Sequence, residues 1–349
     1  MNSQIITRFK NIAKKISAKL EESILSDKSL KCKVVYGPVK TRRLGLVLGI
    51  NNAQSKTCSY NCVYCPSGKT SCCSTFSNSC LSPYELYISV KNKLEEIKRN
   101  GQKVEYILFA GSGDPALDPN LSKEISLLRE FGYKIAVYTN SSLIWNENIQ
   151  ENLMFADYVS LKVDTVSENT WSKLNRPHPR LRFKHILNGI EQFSKRFRGT
   201  LSTETTLVKD INDSTEEIHE LSNFLNNLKC KTSYFLTPSF PPTKSFAVSP
   251  EASVLEQLSG MLKEKLKNAV LLCCPETEEF FATGDFENEL MGLLSLHPVR
   301  VDSVKHFVKE NTKLDLLENL IDNQTIKEIT YSERNFYVEN IEPNLSVAS

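Results

Sequence analysis

Cys58, Cys62 and Cys65, in the run Thr57-Cys58-Ser59-Tyr60-Asn61-Cys62-Val63-Tyr64-Cys65-Pro66, have the residue type and spacing for metal chemistry. The pattern is C-x3-C-x2-C, and no fourth cysteine completes it at short range. Structural zinc takes four protein ligands, often as two short pairs, and here the nearest histidine is His178. A disulfide framework does not suit a chain of 349 residues without a secretion signal. An iron–sulfur cluster used only for electron transfer usually has four cysteine ligands. Three thiolates on a four-iron cube leave one iron open, and an open iron can bind a small molecule and act on it.

Other residues could serve such a centre. Gly111-Ser112-Gly113-Asp114-Pro115 follows an apolar run; by itself it reads as a Gly-Pro turn, and its glycines would let backbone approach a ligand closely. Asn140, Lys162 and Asp164 fall at the ends of two further β-type runs. A lysine in the strand-like stretch 158–163 is costly to bury without an anion, which a bound carboxylate, Asp164 or Glu204 would supply. Glu204 alternates with polar neighbours, so its facing is left open. In Asn175-Arg176-Pro177-His178-Pro179 the prolines stiffen the chain; Arg176 could clamp an anion and His178 exchange a proton, or the segment could be a rigid loop. The run 211–214 reads as a helix cap.

The elements that must position these groups alternate. Apolar β runs are expected at 44–51, 104–110, 133–139, 158–163, 201–208 and 231–237. Helices fit between them at 82–98, 121–131, 147–154, 183–197 and 214–228. The first has a Ser82-Pro83 start and a stripe of Leu86, Val90, Leu94 and Ile97. Repeated strand–helix units imply a parallel sheet covered by helices, with chemistry on the loops at the C-terminal strand ends. Six units are too few for an eight-fold barrel.

After about residue 285 the pattern changes to three helices, at 286–296, 301–308 and 314–321, and a small hairpin around residues 332–334, resembling a winged helix. Residues 286–341 hold 6 Lys/Arg against 10 Asp/Glu, which argues against duplex DNA and for a protein-contact or substrate-presenting role. The first 43 residues carry 11 Lys/Arg and 3 Asp/Glu, and 8–19 reads as a basic amphipathic helix able to touch RNA or to pack as a solvated helix. Three units result: a basic arm at 1–35, an α/β unit at 36–270 and an appendage at 285–341. No apolar run approaches a membrane span. Ten cysteines without a secretion signal point to a reducing cytoplasm. Cys72, Cys73, Cys80, Cys273 and Cys274 leave a second cluster open, while Cys32 and Cys230 read as ordinary thiols.

The cysteine triplet, with Tyr64 before its last member, resembles the radical S-adenosylmethionine (SAM) superfamily. The lead-in Tyr36-Gly37-Pro38-Val39-Lys40-Thr41-Arg42-Arg43-Leu44-Gly45 and Leu48-Gly49-Ile50-Asn51 is similar to the wyosine-synthase-like branch, over about residues 36–267. The resemblance implies a partial (β/α)6 TIM-type barrel, a [4Fe-4S] cluster on Cys58, Cys62 and Cys65, and S-adenosyl-L-methionine as cosubstrate. It implies that Tyr64, Gly111, Ser112, Gly113 and Asp114 lie against SAM, with Asp114 standing where Glu is usual. It places Asn140, Lys162 and Asp164 at the SAM carboxylate and ribose, and Lys162, Arg176 and His178 among catalytic candidates. Reductive cleavage of SAM, with an electron from a flavodoxin or ferredoxin, would give a 5′-deoxyadenosyl radical that takes hydrogen from substrate. Three fates compete: modification of a tRNA base, modification or activation of a protein or peptide, and use of the cluster by a redox-sensing regulator.

Overall fold

The computed structural model describes residues 34–53, 56–273, 279–311 and 313–340. Residues 1–33 of the basic arm, Cys32 among them, and Cys274 lie outside the described residues.

One eight-stranded sheet organises the first part of the chain. β1 (Val35–Thr41) runs antiparallel to β2 (Gly45–Ile50), in register from Val35 opposite Ile50. Beyond β2 lie a short two-stranded pair in the cysteine segment, β3 (Thr57–Cys58) and β4 (Cys72–Cys73), and then β5 (Tyr106–Phe109). β6 (Lys134–Thr139), β7 (Tyr158–Lys162), β8 (Thr200–Thr206), β9 (Thr232–Leu236) and β10 (Ala269–Leu272) follow. The order is β1-β2-β5-β6-β7-β8-β9-β10, parallel from β2 onward. The six expected strands are therefore its centre, a partial TIM-type barrel, and β1 and β10 extend it at either edge. Four-residue β10 and the lead-in strand have too little alternation to stand out in sequence.

Helices α1 (Pro83–Arg99), α2 (Leu121–Leu128), α3 (Glu147–Leu153), α4 (Glu168–Asn175), α5 (Phe183–Arg196), α6 (Thr215–Asn226) and α7 (Ala252–Lys265) connect the strands. α1 starts on a capping box: Ser82 Oγ accepts from Glu85 N, and the Glu85 carboxylate accepts from Ser82 N at 2.8 Å. Its stripe of Leu86, Val90, Leu94 and Ile97 is buried in the main core with Leu48, Ile50, Ile107, Phe109, Val137 and Leu161 from the strands. Strand alternation puts the other set inside the barrel. Val47, Leu108, Ala136 and Tyr158 pack there, and the polar members of that face form one wall of the site.

The remaining elements build a second core. α8 (Phe286–Leu294), β11 (Val299–Arg300), α9 (Val301–Glu310), α10 (Leu314–Asp322), β12 (Ile326–Tyr331) and β13 (Arg334–Glu339) follow in the order helix, strand, helix, helix, strand, strand, with a β11-β13-β12 antiparallel sheet. Phe286, Leu290, Val304, Val308, Leu317 and Tyr337 are buried together, and Tyr36 and Val39 of β1 pack against them. Phe240, in the loop after β9, meets His297 at 5.0 Å and Phe336 at 6.0 Å between ring centroids.

Candidate functional site

The loop that carries the three cysteines leaves the C-terminal end of β2 and is held from three directions. The end of α4 and the segment after it brace it: Val63 N donates to Leu174 O and Asn61 N to Asn175 O, both at 2.9 Å, and His178 N donates to Ser59 O at 2.9 Å. The loop after β9 supports its far end: Thr243 Oγ1 donates to Cys65 O at 2.8 Å and Lys244 N to Val63 O at 2.9 Å. Underneath, Trp171 Nε1 donates to Tyr60 Oη at 3.0 Å, and the two rings meet edge to face.

Cys58, Cys62 and Cys65 then border one open cavity of about 200 Å³. Tyr64 and Pro66 of the same loop, residues 111–114 after β5, Tyr138, Thr139 and Asn140 at the end of β6, and Ser160, Lys162 and Glu204 from β7 and β8 complete it. The glycines of the 111–115 segment are needed for its contact with protein. A Cβ on Gly113 would stand 2.1 Å from Thr57 O, and one on Gly111 would stand 2.0 Å from Asn51 Oδ1. The Asp114 carboxylate accepts from Thr139 Oγ1 at 3.0 Å, Ala116 N at 3.0 Å and Asn140 N at 3.2 Å. Burial pushes Asp114 up to about 6 and these donors oppose it.

The strand wall is a charge network. Lys162 Nζ lies 2.6 Å from Glu204 Oε1 and from Thr206 Oγ1, and Arg43 Nη2 lies 2.6 Å from Glu204 Oε2. The Arg43 guanidinium stacks 4.2 Å above the Tyr138 ring and Lys162 Nζ sits 4.8 Å from that of Tyr64. Burial works against the Glu204 charge, but Lys162 and Arg43 hold its carboxyl down at about 2. The facing of Glu204, open in the sequence, is inward, and it is the anion that Lys162 requires.

The thiol wall is the reverse. Burial pushes all three thiols up, that of Cys62 to about 12, with Asp114 and Cys62 adding to the effect at Cys58, and Cys65 adding to it at Cys62. Two amides already donate to sulfur: Asn140 Nδ2 to Cys58 Sγ at 3.3 Å and Asn175 Nδ2 to Cys62 Sγ at 3.4 Å. Among the described residues no three His, Cys, Asp or Glu groups are arranged to hold a single metal ion. A cube takes each thiolate on a different iron, so its ligands stand around a space and do not converge on a point. Three soft, half-buried donors around an open cavity fit such a cluster and fit zinc poorly.

Other expected residues fall differently. Asp164 does not line the cavity: it accepts from Tyr64 Oη at 2.5 Å, Asn175 Nδ2 at 2.8 Å and Thr206 N at 2.8 Å, tying loop to strands. Arg176 and His178 are likewise absent from its lining; Arg176 ends α4 in the left-handed region at φ 45°, and His178 Nδ1 accepts from Arg180 N at 3.2 Å. Their segment braces the cysteine loop. Arg43, Asn175 and Thr243 are contributors that the sequence reading did not assign. The Arg42-Arg43 doublet within an apolar lead-in was the available signal for the first; nothing local signals Thr243. Cys72 and Cys73 are exposed, and burial with Asp118 and Glu124 nearby pushes Cys80 up to about 11.

Comparison with known proteins agrees with this geometry. The model of the radical SAM superfamily matches residues 54–222. The chain resembles a radical SAM methyltransferase from Sphaerobacter thermophilus with a TM-score of 0.52 at 16% identity, over 65% of this chain and 66% of that one. It resembles Streptococcus suis SuiB bound to S-adenosylmethionine with a TM-score of 0.50 at 16% identity, over 65% of this chain and 50% of that one. At such identities the likeness shows the fold alone. The superfamily match makes the chain a radical SAM enzyme, a class that uses a [4Fe-4S] cluster and SAM and needs an electron donor. UPF0026 protein MJ1312 of Methanocaldococcus jannaschii is 35% identical over 311 residues, 88% of this chain and 96% of that protein. The chain belongs to the UPF0026 family within the radical SAM superfamily. Among the described residues no helix is long and apolar enough to cross a membrane.

Proposed function

We propose that Cys58, Cys62 and Cys65 hold the cluster, that residues 111–114 and Asn140 hold SAM, and that the cavity is where a substrate hydrogen is taken. The observation that carries this is that the triplet, the Gly111–Asp114 segment and the β6–β8 strand ends border one cavity. When bound, the cluster and SAM supply a 5′-deoxyadenosyl radical. The chain's own part is to orient and protect. The amides of Asn140 and Asn175 favour charged sulfur on Cys58 and Cys62. Arg43 and Lys162 are matched by Glu204 and by Asp164, 3.9 Å from Lys162, so the strand wall is a balanced charge network that keeps Lys162 at the cavity edge, where a SAM carboxylate would meet it. Arg176 and His178 act through the loop they brace, as positioning residues.

A tRNA base is the substrate class suggested by the lead-in. A second reading, a protein or peptide substrate met by the 285–341 unit, is favoured by one observation. On α10, Leu314, Leu316 and Ile321 are 49%, 38% and 40% exposed beside Asp315, Glu318 and Asp322, an apolar–acidic surface that suits polypeptide better than phosphate.

Anaerobic reconstitution with iron and sulfide tests the site. Full-length protein should take up one cluster and, with SAM and dithionite, release methionine and 5′-deoxyadenosine. Cys58→Ala, Cys62→Ala and Cys65→Ala should each lose both properties; full iron content in any of them would overturn the assignment. Retention of bulk tRNA, set against capture of a polypeptide from anaerobic lysate, separates the two substrate classes.

A further inference from the structure

Two cysteines outside the triplet lie on a strand paired directly with it. β4 runs parallel to β3 with Thr57 opposite Cys72 and Cys58 opposite Cys73. Parallel neighbours stand about 4.8 Å apart, and residues in register point to the same face of the ribbon. Disulfides form at Cα separations of about 4.4–6.8 Å. Cys58 and Cys73 thus meet the backbone requirement, whereas Cys72, one residue away, points to the opposite face. Both are free thiols, Cys73 is exposed, and its sulfur sits 3.8 Å from Ser59 O, beside the cluster loop.

We propose that Cys73 is a redox-modification site that forms a disulfide with Cys58 when the cluster is absent, closing the cluster site until a thiol reductant reopens it. The proposal rests on the reading of Cys58 as a cluster ligand. The co-reactant is a low-molecular-weight disulfide. The exposed Cys73 sulfur attacks it, forms a mixed disulfide and releases one small thiol. Cys58 then attacks the Cys73 sulfur, forms the protein disulfide and releases the second small thiol. Two protein thiols lose hydrogen, one small disulfide becomes two thiols, and the exchange reverses with excess dithiol. A bound cluster occupies Cys58 and blocks the second step.

The test uses full-length cluster-free protein treated anaerobically with oxidised glutathione, followed by peptide mapping and fragmentation. The expected product is a Cys58–Cys73 crosslink in the wild type and in Cys72→Ser, and none in Cys73→Ser. After the same treatment, wild-type protein should lose most of its capacity to take up iron and sulfide and regain it with dithiothreitol, whereas Cys73→Ser should keep it. Glutathione stranded on Cys73 with Cys58 free, a Cys72–Cys73 product, or a crosslink from Cys73 to Cys62 or Cys65 would each overturn the proposal. Failure of untreated Cys73→Ser and wild type alike to take up a cluster would instead count against the ligand assignment, because no oxidant has acted there.

Discussion

Two acidic regions flank the cysteine loop, and they treat a carboxylate in opposite ways. On the strand wall, Glu204 receives Arg43 on one oxygen and Lys162 on the other, both at 2.6 Å, and stays ionised down to about pH 2. Behind the Asp114 loop, Glu124 is 2% exposed, accepts from Asn52 Nδ2 at 3.2 Å, and lies near the Asp118 carboxylate. Burial and the Asp118 charge push it up to about 8. Both side chains are shielded from water; the difference is the cation. The thiol wall stands closer to Glu124: burial dominates at all three sulfurs, and at Cys65 the charges of Lys162 and Lys56 oppose it without cancelling it.

The largest effect should come from breaking the compensated side. Glu204→Gln leaves Arg43 and Lys162 facing each other across a neutral amide, with Asp164 3.9 Å from Lys162 as the nearest carboxylate. Removing one partner of a buried ion pair costs about 3–5 kcal/mol, to be read from denaturant unfolding at neutral pH. A loss under about 1 kcal/mol would show that the wall is not closed on itself. The pH dependence has a definite sign. Glu204 lies below its ordinary value of 4.5, so its contribution is present above that value and disappears as pH falls toward about 2. The gap between wild type and Glu204→Gln should narrow over that window.

Glu124→Gln sharpens the same comparison from the uncompensated side. Because Glu124 lies above its ordinary 4.5, the fold favours its protonated form and loses stability as pH rises from 4.5 through about 8. The substitution should remove that slope, making the variant more stable than wild type by about 1–3 kcal/mol at alkaline pH and close to it in mild acid. Equal slopes in the two proteins would mean that Glu124 finds a counter-charge. The smallest effect is expected at Thr243→Val. It removes the hydroxyl donor to Cys65 O but keeps the backbone donor at 3.1 Å, so a loss of about 0.5–1.5 kcal/mol is expected in thermal or denaturant unfolding. A larger loss would show that the loop after β9 does more than steady the cysteine segment.

Much of the barrel was legible because its strands are nearly continuous apolar runs and its helices carry one-sided stripes, as a covered parallel sheet demands. The edges were not, since β1 and β10 owe their pairing to neighbours distant in sequence. α4 could be given no bounds from sequence, because its helical face rests on few apolar residues, Trp171 and Leu174, among polar ones. Of the residues that border the cavity, Cys58, Cys62 and Cys65 were singled out by type and spacing, and Gly111 and Asp114 by the resemblance alone. Asp164 and His178 were chemically reasonable candidates that the fold uses as ties, a distinction that no spacing rule contains.

By itself the sequence determined the thiol triplet, the alternation of strands and helices, and the acidic character of the last unit, all of which are local or compositional properties. Only the tertiary structure decided which way Glu204 points, that Arg43 reaches it from the lead-in strand, that Asn140 and Asn175 lend their amides to the sulfurs, and that Cys73 stands opposite Cys58. Each of those depends on residues many positions apart being brought to one place by the closing of the sheet, and burial and charge at a point in space follow from what surrounds it there.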